Sequence, residues 1–264
     1  MVSSLSACLR DEPFNQGNDG TQTDPQTDPQ DDPQVEVKEY TLGEEYSELG
    51  PDGLDGLSAI CLNETGDGLL VAEDNGHVLE FGLDGTLKAT RSFADPNDAR
   101  DWEGITMAAD GTIYLSEERT REIYKLSSDH KSVTLVSGGP KEGKKENQGF
   151  EGIAAGNGVL YICNQSAPFR VYTYTIATGK WATAFDVSGA ESLSDIYYDG
   201  EDGTLWITDA KTHLLTQLSK TGKVLHEYKI DFVDKPEGFC KDTVRKKFWF
   251  VCDGTAKIYS VSYN

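Results

Sequence analysis

Asp101-Trp102-Glu103-Gly104-Ile105-Thr106-Met107 is the stretch that decides the fold of this chain. It begins with carboxylates, continues into apolar residues and ends near the turn pair Asp110-Gly111. A second β-rich segment, Ile113 to Glu118, follows the turn, and a third, Glu122 to Leu126, follows that one. Alternating apolar residues on both sides of an Asp-Gly pair predict a β-hairpin, and the third segment predicts a further strand of the same sheet.

The same pattern occurs four more times along the chain. Glu151-Gly152-Ile153 and Glu237-Gly238-Phe239 begin two close copies, and Ser58 and Ser194 begin two weaker ones. Equivalent apolar residues of the five copies are 43 to 48 positions apart, and they are Ile60, Ile105, Ile153, Ile196 and Phe239. This period is typical of a four-stranded propeller blade. The repeats therefore predict an all-β chain folded as a five-bladed β-propeller.

The two ends of the repeat region predict how the ring closes. The last repeat supplies strands near 239–241, 248–252 and 257–262, which is one strand short of a blade. The segment from Val35 to Leu42 alternates like a strand but belongs to no hairpin. We expect this N-terminal strand to complete the last blade, because closure removes the exposed sheet edges of a linear array.

The N-terminal region predicts a tethered protein. Leu5-Ser6-Ala7-Cys8 resembles a bacterial lipobox, so we interpret residues 1–8 as the remnant of a lipoprotein signal peptide whose start codon lies further upstream, with Cys8 as the lipidation site. Residues 9–34 are rich in Asp, Pro and Gln and predict a disordered linker, followed by the propeller at 35–264. The expected location is the bacterial cell envelope, periplasmic or outer-membrane, with membrane contact through the lipid alone and a monomeric chain.

Charge and cysteine content limit the possible partners. The net charge of −21 argues against nucleic acid and favours cations, although solubility alone explains it equally well. The remaining cysteines fall inside predicted strands without zinc-like spacing, so we expect buried, apolar side chains at Cys61, Cys163, Cys240 and Cys252. A disulfide between Cys240 and Cys252 is not expected, because diagonal partners across a hairpin lie too far apart.

Propeller geometry predicts where the carboxylates gather. The first strand of each blade lines the central channel, so its first residue contributes to one rim, as do residues at the end of the second strand. The Asn157-Gly158 turn would place Glu151 opposite Asn164. The first strands contribute Ser58, Glu103, Glu151, Ser194 and Glu237, and the second strands contribute Glu73, Glu117, Asn164, Asp209 and Asp253.

This concentration of carboxylates predicts a cation site. Like charges in one place raise each other's pKa or require a counter-ion, and oxygen ligands without His or Cys favour Ca²⁺ over zinc or copper. The other interpretation is a hydrated rim of strand-end acids. The predicted metal ligands are Glu103, Glu151, Glu237, Asp209, Asp253, Glu117 and Asn164.

The signals for catalysis are weaker, and no catalytic residue is assigned. The four histidines fall in outer strands or turns of the predicted register, and the sequence contains no G-x-S-x-G nucleophile motif. A carboxylate beside a metal-activated water could still act as a general base, as a lactonase or esterase requires.

Three motifs carry a family resemblance. Asp101 to Ile105, Gly149 to Ile153 and Lys235 to Phe239, with the five repeats, resemble the SdiA-regulated (YjiK-type) family of bacterial envelope propellers over about Val35 to Asn264. The resemblance implies a five-bladed fold distantly similar to NHL repeats, a calcium site and no established activity. The more distant gluconolactonase and regucalcin propellers imply a divalent metal held at the channel mouth, which would place Glu103, Glu151 and Glu237 at the metal. Ser58 and Ser194 depart from an all-acidic ring.

Two function classes follow and stay open. One is a lipid-anchored calcium-binding propeller that recognises an envelope small molecule or protein. The other is a metal-dependent lactonase or phytase-like esterase that uses a metal-activated water at the channel mouth.

Overall fold

The computed structural model describes residues 37–93, 100–142 and 148–264, which form twenty β-strands. Strand β1 spans Leu42–Leu49. The four complete repeats follow in chain order, and the last repeat supplies three strands. Their bounds are β2 Leu57–Leu62, β3 Gly68–Glu73, β4 His77–Gly82, β5 Leu87–Ser92; β6 Trp102–Met107, β7 Ile113–Glu117, β8 Glu122–Leu126, β9 Val133–Gly138; β10 Phe150–Gly156, β11 Val159–Asn164, β12 Arg170–Thr175, β13 Lys180–Asp186; β14 Leu193–Tyr198, β15 Leu205–Asp209, β16 Leu214–Leu218, β17 Val224–Lys229; and β18 Pro236–Asp242, β19 Lys247–Cys252, β20 Lys257–Tyr263.

These strands form five antiparallel four-stranded sheets, so the predicted five-bladed β-propeller is confirmed. In blades 1 to 4 the strands pair in chain order, and the first strand of each blade packs against the first strand of the next. Blade 5 has the order β1-β20-β19-β18, so its outermost strand comes from the N-terminal end of the described chain. Among the described residues no helix is long and apolar enough to cross a membrane.

The closing strand lies later in the chain than the sequence pattern predicted. Closure by an N-terminal strand is correct, but the strand is β1 rather than the segment from Val35 to Leu42, and the two overlap only at Leu42. Strand β1 reads Leu-Gly-Glu-Glu-Tyr-Ser-Glu-Leu and is largely exposed, because an outermost strand buries little of either face. Its sequence therefore lacks the apolar alternation that identifies inner strands.

The segment before β1 is nevertheless anchored through Tyr40. The Tyr40 ring is buried against Trp206 of blade 4 and Tyr263 of blade 5, with ring centroids 5.5 Å and 5.1 Å away. Its hydroxyl accepts a hydrogen bond from the fully buried Lys241 Nζ at 2.8 Å, and Lys241 also donates to Asp199 at 2.5 Å. Tyr40 therefore joins the last two blades from outside the sheet.

The hydrophobic core consists of five clusters, each of which lies between two neighbouring blades. One cluster, for example, packs Leu70 and Val78 of blade 1 against Trp102 and Leu115 of blade 2. The cluster between blades 5 and 1 exists only when the ring is closed. Because each interface buries apolar surface from two blades, the blades depend on one another for stability.

The prediction that the propeller cysteines are buried is confirmed, whereas several predictions for the N-terminal region concern residues that the structure does not describe. All four cysteines of the propeller are buried free thiols. The predicted lipidation site Cys8, the signal remnant 1–8 and the linker 9–34 lie outside the described residues, as does the start of the predicted closing strand. Lipid anchoring and the envelope location therefore stay predictions.

Removal of β1 tests the closure. A chain that begins at residue 37 keeps Tyr40 and β1, whereas a chain that begins at residue 50 loses both and exposes the edge of β20. We expect the first to melt like the full chain and the second to melt much lower, since a loss of about 4 kcal/mol lowers the melting temperature of a domain this size by about 8–16 °C. Thermal unfolding followed by circular dichroism measures the difference, and equal melting of the two chains would contradict the role assigned to β1.

Candidate metal centre at the channel mouth

Every first strand carries a β-bulge at the position where the predicted ring residue lies. In blade 2, Trp102 pairs with Glu117 and Gly104 pairs with Ser116, so Glu103 is an extra residue without a partner. The same irregularity occurs in the other blades, at Ser58, at Glu151 and Gly152, at Ser194 and at Glu237. A bulge bends the strand and re-aims the side chain of its extra residue. The bulges place the predicted ring residues at one structural position.

The bulge also corrects the expected register of the hairpins. Asn164 pairs with Phe150, so the expectation that Glu151 lies opposite Asn164 is wrong by one residue. In blade 5 the corresponding partner of Pro236 is Cys252, and Asp253 lies in the turn beyond the strand. A one-residue bulge cannot be seen in the alternation of apolar residues, because the rest of the strand keeps its period of two.

A glycine follows each ring glutamate because the next blade is in contact there. A Cβ atom on Gly104 would lie 2.8 Å from Glu151 O, and one on Gly238 would lie 2.7 Å from Ala59 Cα. A Cβ atom on Gly152 would lie 2.5 Å from Asp195 Cα. These distances are shorter than a carbon side chain allows, so the glycines let adjacent inner strands approach each other closely.

Asp195 occupies the equivalent position in blade 4 and is fully buried. Its Oδ2 accepts a hydrogen bond from Phe239 N of blade 5 at 2.7 Å, and its Oδ1 accepts one from Ile196 N at 2.8 Å. Ser194 Oγ donates to Pro236 O at 2.7 Å. Blade 4 therefore fixes the backbone on both sides of Glu237.

The carboxyl groups of Glu103, Glu151 and Glu237, which the repeats identify as equivalent, influence one another electrostatically. Burial raises the pKa of Glu151 well above its usual range, and the charges of Glu103 and Glu237 raise it further. Burial and then the charge of Glu237 have the same effect on the pKa of Glu103. Burial also raises the pKa of Glu237 to about 7, although the nearby Lys235 opposes the rise. The three carboxyl groups therefore share one desolvated space.

Three further carboxylates, none of them among the predicted ligands, lie near this trio. One carboxylate oxygen from each of Asp101, Glu103 and Glu118 lies within 4.8 Å of the others. Burial and then the charge of Asp101 raise the pKa of Glu118 to about 7, and the same two causes raise the pKa of Asp74 to about 6. We call these six groups the carboxylate mouth, and its members are Asp74, Asp101, Glu103, Glu118, Glu151 and Glu237.

Glu151 has an oxygen without a partner. The residue is 2% exposed, and Oε1 is buried without a hydrogen-bond partner in the part of the chain that the structure describes. The charges of Glu103, Glu237 and Glu118 around it favour a proton or a cation at Glu151. Buried oxygens of this kind are normally satisfied, so a donating group or a cation at Oε1 would be favourable.

The second-strand residues predicted as ligands have other contacts. Glu117 accepts hydrogen bonds from Thr120 N and Oγ1 at 2.6 Å each. Asn164 Oδ1 accepts from Arg121, and its amide nitrogen donates to Ser166 O and Pro168 O. Asp209 accepts four backbone N–H groups in the turns around it. Asp253 is ion-paired with Lys235. Asp253 lies at the edge of the carboxylate mouth, where its charge adds to the effect of burial and raises the pKa of Glu237 and of Asp74. The role of all four residues as metal ligands stays a prediction.

Below the carboxylates the channel is lined mainly by apolar residues, together with Asn63, Thr106 and Lys241. Ile60, Ile105, Ile153, Ile196 and Phe239, the equivalent residues of the five repeats, line a cavity of about 250 Å³. The histidines lie elsewhere, with His77 and His226 in the third and fourth strands of their blades and His130 and His213 in turns. The donor atoms at the mouth are therefore carboxylate oxygens above a mainly apolar floor.

Sequence and structure comparisons give one family and a common fold. The family model "Phytase-like: Esterase-like activity of phytase" matches residues 52–235. Comparison with curated proteins finds no match. The glutaminyl cyclase of Myxococcus xanthus has a TM-score of 0.65 at 8% identity, with 85% of this chain and 96% of that chain covered. A gluconolactonase of Xanthomonas campestris has a TM-score of 0.55 at 12% identity, covering 81% and 88%.

The alignment with a third solved structure covers a smaller share of the other protein. The virginiamycin B lyase of Staphylococcus aureus, in a catalytically inactive form with quinupristin, has a TM-score of 0.50 at 19% identity. The alignment covers 78% of this chain and 66% of the lyase. Identities this low show a shared propeller fold and no more. The likeness to gluconolactonase propellers is therefore confirmed for the fold, and the resemblance to the SdiA-regulated family stays a prediction.

The buried carboxylates predict an inverted pH dependence. A glutamate titrates near 4.3 when unfolded, so groups with raised pKa values hold more protons in the folded than in the unfolded state above that pH. The free energy of unfolding must then fall as the pH rises from about 4.5 through about 7, where Glu118 and Glu237 titrate. In the presence of a metal chelator, we expect the melting temperature of wild type to fall between pH 5 and pH 8. The melting temperature of Glu151→Gln should fall less over the same range. Glu227→Gln, on an exposed outer strand, should keep the wild-type slope, and identical slopes for all three proteins would contradict a buried cluster.

Proposed function

The chain belongs to the phytase-like family described by esterase-like activity of phytase, and from this premise we propose that its carboxylate mouth binds a divalent cation, with calcium as the preferred ion. The observation that carries the proposal is the orphaned, buried Oε1 of Glu151 among like-charged neighbours. A cation at this point would satisfy the free oxygen and replace the protons that the cluster otherwise retains.

The electrostatics support a cation more than a structural role for the acids. Taking several carboxylates out of water is costly unless a counter-charge or a proton compensates, and a stable fold gains nothing from assembling them. Glu103, Glu151 and Glu237 face one another although their blades could bury apolar residues there. Serine at the equivalent positions of blades 1 and 4 folds equally well, since Ser58 and Ser194 donate to backbone carbonyls.

The donor set fits a hard cation. All six members of the carboxylate mouth offer oxygen, and no imidazole of the chain belongs to it. A large number of oxygen donors favours Ca²⁺ over Mg²⁺. Ca²⁺ accepts six to eight ligands in irregular geometry, whereas Mg²⁺ requires a near-octahedral shell. Glu103, Glu151 and Glu237 would hold the ion, with Asp101 and Glu118 beside them.

Calcium binding gives a direct test. Calcium at 100 times its dissociation constant should stabilise the protein by about 2.7 kcal/mol, and chelation should reverse the effect. Glu151→Gln should weaken binding at least tenfold and leave the metal-free fold intact, because the amide keeps the shape and relieves repulsion. Isothermal calorimetry measures the affinity and thermal unfolding measures the stability.

The matched control is Glu227→Gln, which removes the same charge from the exposed outer strand of blade 4. It should bind calcium like wild type. If wild type binds neither calcium nor magnesium, or if Glu103→Gln, Glu151→Gln and Glu237→Gln all bind as tightly as wild type, the mouth is a hydrated rim and the proposal is wrong.

Ester hydrolysis is the second candidate, and the family description together with Glu118 favours it. The pKa of Glu118 is raised to about 7 by burial and then by Asp101, so near neutral pH this carboxyl group can accept or donate a proton. A bound divalent cation would supply Lewis-acid polarisation of an ester oxygen. Glu118 would then remove a proton from the attacking water. Without such turnover, the propeller is a calcium-dependent binding module for an envelope small molecule or protein.

A hydrolysis assay separates these alternatives. With saturating calcium, wild type should hydrolyse a chromogenic p-nitrophenyl ester, lactone or phosphate ester, and chelator should abolish the reaction. Glu118→Gln should lower kcat by about 10²–10⁴-fold, the usual contribution of a general base, while calorimetry still detects bound calcium. Calcium binding without calcium-dependent hydrolysis of any of the three substrates would support the binding module and reject the enzyme.

A further inference from the structure

The side chain of Lys235 places its positively charged ammonium group at the edge of the carboxylate mouth. Its Nζ lies 3.1 Å from Oε1 of Glu237 and also contacts Oδ2 of Asp253 in the turn after β19. The side chain is half exposed. One amino group therefore bridges a member of the mouth and an acid outside it.

The backbone beneath Lys235 is fixed whereas its side chain is long. The next residue, Pro236, is buried and begins β18, and its carbonyl accepts the hydrogen bond from Ser194. A lysine carries its charge on four rotatable methylene groups, so the ammonium can move several ångströms while the backbone stays in place. Glu237, two residues later, is held by the bulge and by the hydrogen bond that Phe239 N donates to Asp195.

Lys235 remains charged at neutral pH. Its ammonium group is ion-paired with both Glu237 and Asp253, and such pairs favour the charged form of a lysine. The same ammonium opposes the rise in the pKa of Glu237. In the metal-free protein Lys235 thus already neutralises part of the charge that a divalent cation would neutralise.

We propose that Lys235 is a tethered counter-ion that competes with the divalent cation for Glu237 and is retained by Asp253 when the cation binds. The inference rests on the proposed cation site. An ammonium and a divalent cation cannot both approach the same carboxylate oxygen without strong repulsion. Asp253 keeps the displaced ammonium paired, which lowers the cost of the exchange. Lys235 would then set how much calcium is needed to fill the mouth.

Replacing Lys235 tests the competition. Lys235→Met should bind calcium about tenfold more tightly than wild type by calorimetry, and its metal-free form should melt lower because Glu237 loses its partner. Lys257→Met is the matched control, since Lys257 is also ion-paired, at 2.7 Å from Asp52, but its partner is a fully exposed acid outside the mouth. It should leave the calcium affinity unchanged. Lys235→Gln makes the same test if the methionine variant does not fold. Equal or weaker binding by the Lys235 variant overturns the inference.

A double-mutant cycle tests the role of Asp253. Asp253→Asn alone should weaken calcium binding about threefold, because Lys235 then pairs with Glu237 only. In the Lys235→Met background the same change should have no effect, since no ammonium is left to retain. If Asp253→Asn weakens binding equally in both backgrounds, Asp253 acts on the metal directly and the retention step is wrong.

Comparison of wild type with Lys235→Met also separates the proposed cation site from the proposed competition by Lys235. Absence of calcium binding in wild type and in Lys235→Met rejects the proposed cation site and this inference with it. Binding in both proteins with the same affinity rejects only the competition by Lys235. Tighter binding by Lys235→Met supports both.

Discussion

The close approach of five inner strands around one axis is the constraint on which the rest of the structure depends. At the mouth, the backbones of neighbouring blades come so near that a Cβ atom on Gly104, Gly152 or Gly238 would overlap the next strand. Each strand accommodates this crowding with a bulge. The bulge turns one residue per blade away from the sheet, so the geometry that closes the ring also selects the residues that face the mouth.

The residues that the bulges select make the mouth strongly negative. Three of the five selected residues are glutamates, and three more carboxylates lie around them, so the mouth concentrates negative charge in a desolvated place. Protons, cationic side chains or a metal ion can compensate that charge. The raised pKa values of Glu103 and Glu151 favour retained protons, Lys235 supplies an ammonium at Glu237, and Arg119 pairs with Asp101 at 2.9 Å. Among the described residues Oε1 of Glu151 has no hydrogen-bond partner, which favours a metal ion as a further means of compensation.

The positions of the residues at the mouth depend on the same blade interfaces that stabilise the propeller. The apolar core lies between blades, so each blade is held in place by its two neighbours. The positions of Glu103, Glu151 and Glu237 come from three different blades, and they are fixed relative to one another only when all five interfaces exist. Tyr40 and Lys241 strengthen the interface between blades 4 and 5, which carries Glu237. A metal at the mouth would in turn connect blades 2, 3 and 5 and favour the closed ring.

The sequence alone determined the repeat, its period, the all-β class and the number of blades, because these follow from local patterns that recur at fixed intervals. The same repeats identified Glu103, Glu151 and Glu237 as equivalent residues, whose role as metal ligands stays a prediction. The sequence also indicated that an N-terminal strand closes the ring, but placed that strand seven residues too early, since the exposed β1 has no apolar alternation. Tertiary structure alone decided which other acids join the trio. Asp74, Asp101 and Glu118 lie in loops or just after strands, where no periodicity applies, whereas Asp209 and Glu117, at strand ends, are occupied by backbone N–H groups of nearby turns. The pairing of Lys235 with Glu237 and Asp253 likewise depends on how two turns meet in space, which a single sequence does not encode in any local pattern.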